Sequence, residues 1–172
     1  VGPKALLGVP TYREQMSPGA EEDPGPDRGP FSTADAVRAL GAVHEITTDR
    51  SLTFEEKIDS LLSIGVNELD LPYGFLSRIA VEDLEGERGT QTIVDAEGNH
   101  DLLQPGESAP LSKAYCRKTI KSEGLLAIQD APEAGWDGDP AYETYNLGSY
   151  IGGKVELEDE LYGTFCFAST AP

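Results

Sequence analysis

Hydrophobic positions change period several times along the chain, and those changes divide it into elements. Thr53-Phe-Glu-Glu56 has the form of a capping box, in which a hydroxyl and a carboxylate each satisfy a free amide at a helix start. Phe54, Ile58, Leu61, Leu62, Gly65 and Leu69 then fall on one face, which predicts an amphipathic helix that Pro72 ends. From Tyr73 the rhythm becomes that of strands. "YGFLSRIA" (73–80) and "GTQTIVDA" (89–96) read as a strand pair around the polar turn "EDLEGER", and after "DAEGN" the segment His100–Leu103 is expected to pair next. Residues 111–121 return to helical spacing, with Gly124 as the stop. "LLAIQD" predicts a short buried strand, "PEAGWDGDP" a loop with the sole tryptophan, and "AYETYNL" a short helix. "SYIGGKVEL" and "ELYGTFCFAS" predict a hairpin that turns at Glu158-Asp159. Strands joined by hairpins and interrupted by helices indicate an α+β domain, an antiparallel sheet carrying helices on its faces.

The N-terminal region reads differently. Residues 1–30 hold six of the twelve prolines, and "SPGAEEDPGPDRGP" predicts a Pro/Gly-rich linker. A helical segment then runs over about 31–51, with Ala36, Leu40, Val43 and Thr47 at spacings of four, three and four. That narrow stripe suits either a helix packed on its own copy in a homodimer (residues 32–50) or a helix lying on the domain's own surface.

Charge adds a constraint. Thirteen basic side chains against thirty-one acidic ones give a net charge of −18. Such a surface repels phosphate and disfavours direct nucleic-acid binding. The acids are dispersed and lysine is scarce, a pattern expected either of a protein kept soluble in concentrated salt, where screening relieves self-repulsion, or of an ordinary acidic cytosolic protein. No run of apolar residues is long enough to span a membrane and no secretory signal opens the chain, so the expected setting is the cytoplasm.

Little in the sequence carries catalytic chemistry. "GSYIGGKV" fits the first part of a P-loop, but Val155 stands where magnesium needs a hydroxyl and the segment alternates as a strand. Its glycines are read as permitting a strand bend or close backbone approach. The two cysteines, Cys116 and Cys166, fit no zinc spacing, and the only histidines are His44 and His100. On a continuous helix over 111–121, Leu111, Ser112, Tyr115, Cys116, Thr119 and Ile120 share an inward arc, and Lys113, Arg117, Lys118 and Lys121 lie outward. Cys116 is then either a small core residue or a reactive thiol. In "GTFCFAS", Phe165 and Phe167 face one way and Thr164, Cys166 and Ala168 the other, as in a central strand covered on both sides. Tyr115, Trp136, Tyr142, Tyr145 and Tyr150 come from several elements; they either line a site for a small flat ligand or pack the helices onto the sheet.

"PLSKAYCRKTIKSEGLLAIQDAPEAGW" followed by "YNLGSYIGGKVELEDELYGTFCFAS" resembles the second half of a GAF domain, of the subtype common in sensory proteins of halophilic archaea and bacteria. The positions that carry the likeness are Pro110, Leu111, Tyr115, Cys116, Arg117, Ile120, Asp130, Tyr150, Ile151, Gly152, Leu161, Gly163, Thr164, Cys166 and Phe167. The resemblance implies a six-stranded antiparallel sheet between helices over residues 52–172, with the further C-terminal helix of the family truncated. It implies a non-catalytic module for small-ligand or redox sensing, coupled to dimer helices through a connecting helix over 31–51, in a multidomain signal-transduction or transcription-regulatory protein such as a two-component histidine kinase or a bacterio-opsin-activator-like regulator. Adjacent PAS, kinase or helix-turn-helix domains would be its partners in the same chain. It also implies a small-molecule pocket, for which Tyr115, Cys116, Asp130, Trp136, Tyr142, Tyr145 and Tyr150 are the candidate residues; the cofactor is unknown. The cyclic-nucleotide motif of the family is absent, and Arg117 follows Cys116 where bilin-binding members have histidine, which argues against a covalent chromophore. The alternative within the same fold is a thiol-dependent redox enzyme such as a free methionine sulfoxide reductase, whose cysteines lie in loops near the pocket.

Overall fold

In the computed structural model, residues 32–83 and 88–172 are described. The linker expected over residues 1–30 lies outside them. By its contacts the chain divides into residues 1–37 and 38–172. The elements are α1 (Thr33–Thr48), α2 (Phe54–Leu69), β1 (Tyr73–Val81), β2 (Gly89–Glu97), β3 (Ser108–Pro110), α3 (Cys116–Thr119), β4 (Leu126–Ile128), α4 (Pro140–Tyr145), β5 (Ser149–Leu157) and β6 (Glu160–Ser169).

The capping box at the start of α2 is formed as the sequence predicts. Thr53 Oγ1 accepts from the Glu56 amide at 3.2 Å, and Glu56 Oε2 accepts from the Thr53 amide at 2.7 Å. Asp70, in the left-handed region at φ 53°, closes the helix before Pro72. Phe54, expected on the buried stripe, is exposed at the first turn, while Leu62 is buried.

The strands form one antiparallel sheet in the order β3-β2-β1-β6-β5-β4. β1 and β6 lie in the middle, so both their faces are covered and they carry few exposed residues. The β5–β6 turn falls at Glu158 and Asp159, both with positive φ (53° and 66°), as the twist of a two-residue hairpin demands. Three expectations need correction. The third strand is Ser108–Pro110, paired with Thr90–Thr92 of β2; residues 100–103 form a turn instead, with the Leu103 amide bonded to the His100 carbonyl. β4 is an edge strand with Ala127 exposed, so "LLAIQD" is only half covered. The helix expected over 111–121 is broken. Leu111–Lys113 form one 3₁₀ turn, Ala114 is extended at φ −111° and ψ 146°, and only Cys116–Thr119 are α-helical.

The two sheet faces carry different packing. On one, α2 lies against β1, β2 and β6, and Gly65 admits the Phe167 ring: a Cβ on Gly65 would lie 2.0 Å from Phe167 Cζ. On the other, Phe75, Ile79, Ile93 and Cys166 join Leu103, Leu111, Tyr115 and Trp136 from the covering segments in the main core. The middle strands approach closely at Gly163, whose Cβ would sit 1.8 Å from the Ser77 carbonyl oxygen. No side chain can yield there, because the obstacle is backbone. Gly163→Ala should therefore weaken the β1–β6 pair, lowering stability by about 1–3 kcal/mol, read as a fall in the urea midpoint at unchanged slope.

Candidate functional site

The covering segments place three rings in a column over the sheet. Tyr150 leaves β5 toward the core and is 1% exposed. Tyr115 stacks on it with ring centroids 5.1 Å apart, and Trp136 stacks on Tyr115 at 4.7 Å with the planes 14° apart. The Lys118 ammonium lies 3.9 Å from the centre of the Trp136 ring and caps the column as a cation–π contact. Tyr115 Oη donates to the Leu147 carbonyl at 2.7 Å, which fixes the middle ring. Burial pushes the phenols of Tyr115 and Tyr150 well above their ordinary range, so both remain neutral.

Beneath the column lies a buried group of hydroxyls and thiols. Tyr150 Oη is 2.7 Å from Thr119 Oγ1, 3.1 Å from Cys166 Sγ and 3.9 Å from Cys116 Sγ. Thr164 Oγ1 donates to Cys116 Sγ at 3.0 Å and meets Ser77 Oγ at 2.7 Å. Ser77, Thr119, Thr164 and Cys166 are fully buried. Burial pushes both thiols up. At Cys116 the donors Cys166, Thr164, Ser77 and Tyr150 outweigh it and hold the thiol below its ordinary range. Cys166 is pushed well above the usual thiol range by burial and by the charge that Cys116 would carry. On the same sheet face, Gln91 is 2% exposed and its Oε1 has no hydrogen-bond partner among the described residues.

The basic side chains do not all point outward as the continuous helix predicted. The break at Ala114 turns Arg117 inward, where it is 8% exposed. Its Nη1 donates to the Ala114 carbonyl at 3.1 Å and its Nη2 pairs with Asp139. Lys118 reaches the same carboxylate at 3.4 Å. Asp139 also caps α4 through the Ala141 amide at 2.9 Å. Ser112, expected inward, is exposed.

Of the seven candidate pocket residues, Tyr115, Cys116, Trp136 and Tyr150 come together as one cluster. Tyr145 is buried in the same core, tilted against His100, and burial pushes its phenol up to about 12. Tyr142 packs half-buried against that core. Asp130 instead caps the turn below Trp136, its Oδ1 accepting from the Glu133 amide at 3.0 Å. Ser77 and Asp139 were not singled out in the sequence, and Thr119, Thr164 and Arg117 were placed there without being named as site residues. For Ser77 and Thr164 the signal was available, as polar residues at inward positions of otherwise apolar strands. A groove of about 610 Å³ lies elsewhere, lined by Ile46, Asp59, Ser63, Ile64 and Glu97 beside α2.

No family model and no curated protein matches the chain. Solved structures do. The GAF domain of the Acinetobacter phosphoenolpyruvate-protein phosphotransferase is similar with a TM-score of 0.57 at 13% identity, over 83% of this chain and 80% of that one. The phycocyanobilin-bound GAF domain of a cyanobacterial phytochrome gives 0.57 at 12% identity, over 77% and 80%. The free methionine-R-sulfoxide reductase of Neisseria meningitidis, in complex with its substrate, gives 0.55 at 9% identity, over 82% and 78%. The chain thus has a GAF-like α+β fold, a six-stranded antiparallel sheet with flanking helices.

The Arg117–Asp139 pair yields a signed test. Desolvation raises the Asp139 carboxyl, but the Arg117 bond, the Ala141 amide and Lys118 more than offset it, so its pKa lies below the ordinary value. A depressed folded-state pKa stabilises above the unfolded value of about 3.9 and loses that contribution as pH falls through the folded value. Asp139→Asn should cost about 1.5–3 kcal/mol at pH 7, the worth of hydrogen bonds to a charged group. The gap between variant and parent should hold down to about pH 5 and close at lower pH, measured by denaturation across that range.

Proposed function

We propose that residues 52–172 form a non-catalytic sensory GAF domain that takes a small ligand at the aromatic column, within a multidomain signal-transduction or transcription-regulatory protein. The observation that carries this reading is the column itself: three stacked rings, capped by the Lys118 ammonium, end on a buried hydroxyl–thiol group. Its site comprises Tyr115, Cys116, Trp136 and Tyr150, with Tyr142 and Tyr145 behind them and Asp130 holding the covering turn. The ligand acts by population shift, favouring one arrangement by its differential affinity for it. The phycocyanobilin-bound phytochrome domain shares the fold, which supports small-molecule binding by this architecture. α1 leaves Val37 and Leu40 exposed, in keeping with a homodimer through residues 32–50. No described helix is long and apolar enough to cross a membrane, and the dispersed acidic surface accords with a cytoplasmic, halophilic setting.

A second reading, a thiol-dependent reductase of the same fold, draws on Cys116 and its converging donors. The two readings separate experimentally. Native mass spectrometry of the protein purified from its own host should reveal a retained small molecule; repeated recovery of bare protein would count against the sensory reading. Both thiols should resist a bulky thiol reagent until the protein unfolds, since each is about fully buried. Rapid labelling of Cys116 in the native state would favour the reductase instead.

A further inference from the structure

Trp136 is the single buried residue in an otherwise exposed segment. Pro132, Glu133, Ala134 and Gly135 before it are exposed, as are Asp137 and Gly138 after it, while Trp136 is 5% exposed. Pro132–Trp136 is a tight turn kinked at Gly135, and Gly135 (φ 79°) and Gly138 (φ 78°) both lie in the left-handed region, on either side of the indole. Both glycines face open space. The backbone bonds around it are local: the Ala134 amide to the Asp130 carbonyl, the Trp136 amide to Ala131, and the Asp139 amide to Trp136. The two ends are fixed independently. The Ala131 amide bonds the Gly148 carbonyl at 2.7 Å, and Asp139 is held by Arg117, Lys118 and α4. Lifting the turn would cost the indole's burial and little backbone pairing to the sheet, which places it at the low-stability end of the molecule.

The place the indole occupies is built to receive a planar ring. One wall is the face of Tyr115, parallel within 14° and already braced by Tyr150 and by its own hydrogen bond to Leu147. The other is the Lys118 ammonium, which is itself held at 3.4 Å by Asp139. Neither wall depends on the indole being attached to the chain. We propose that Trp136 is a removable plug, filling with the protein's own ring a slot for a free planar aromatic or heteroaromatic molecule of about indole size. This rests on the sensory reading and assigns its ligand class. The ligand takes the position between Tyr115 and Lys118, and the turn 132–138 carries Trp136 out to solvent.

Trp136 is the only tryptophan, so a ¹⁵N-labelled sample shows one indole N–H resonance. Titrating the full chain with unlabelled indole should move that resonance to the position of a solvent-exposed tryptophan. Hydrogen exchange at 133–138 should quicken, with β1 and β6 unchanged. A second arm uses Trp136→Gly: its melting temperature should fall, and indole should restore about half or more of the loss by binding the folded state, with cyclohexanol restoring none. The proposal is overturned if saturating indole leaves the wild-type resonance in place, or if indole and cyclohexanol stabilise the folded variant equally. Should the variant fail to fold, the wild-type titration decides. If the resonance stays fixed while host-purified protein retains a small molecule, the slot assignment falls and the sensory reading stands. If the resonance moves and host-purified protein is bare, the slot stands and the sensory reading falls.

Discussion

The hydroxyl of Thr164 sits where the structure can least tolerate an unpaired polar atom. It lies on β6, a middle strand covered on both faces, and it is fully buried. It meets Ser77 on the neighbouring strand and Cys116 in the cover, and Tyr150 continues the chain to Cys166 and Thr119. Burying a hydroxyl without a partner costs about 1–3 kcal/mol, so the members of this group support one another or fail together. That requirement fixes the register of β1 on β6 and the position of α3 above them. Much of the rest follows. Tyr115 is the N-cap of α3, whose first residue, Cys116, is held on Thr164.

The same requirement separates what could be read in the sequence from what could not. The capped helix, the β5–β6 hairpin and the two-faced β6 were legible because each is set by short-range rules: a capping box, a two-residue turn, an alternation. The path of residues 111–121 was not. Helical spacing there is satisfied equally well by one long helix and by two short turns split at Ala114. What selects the split is tertiary: Arg117 turns inward to Asp139, twenty-two positions away, and helical periodicity holds no record of such a partner. The third strand was missed for a related reason. His100–Leu103 has an apolar end but is held as a turn by side-chain bonds, His100 to Tyr145 and Gln104 back to His100. The aromatic candidates were visible as a set, yet their stacking order depended on the broken helix and was invisible with it.

Charge acts in two ways in this protein. The dispersed acids keep the surface strongly negative, and screening by salt weakens their mutual repulsion. The Arg117–Asp139 pair is different, because its side chains are only 10% and 12% exposed and salt reaches them poorly. It is held by hydrogen bonds on both partners, the condition under which a desolvated pair offsets its own desolvation. Two of the four basic residues at 113–121, Arg117 and Lys118, are therefore engaged within the domain. Arg117 joins the cover to α4, and Lys118 serves both that carboxylate and the face of Trp136.

A sensory role requires that events at the column reach the helices on the far side of the sheet, and β6 has the geometry to carry them. Its residues alternate between the two faces. Thr164 and Cys166 belong to the polar group under Tyr150, while Phe167 packs against α2 at Gly65 and Phe165 meets the Phe167 ring edge-on. The α2 side has no slack, since Phe167 occupies the volume a Cβ on Gly65 would need. The column side has none at Gly152 either, where a Cβ would lie 2.4 Å from Tyr150 Oη and 2.9 Å from Cys166 Sγ. Packed interiors of this density shift between discrete arrangements and do not absorb a displacement gradually. A change in the ring stacked on Tyr115 that moves Tyr150 must therefore be taken up by β6, and through Phe167 by α2. The tightness at those two glycines is what would turn occupancy of the column into a movement of a helix.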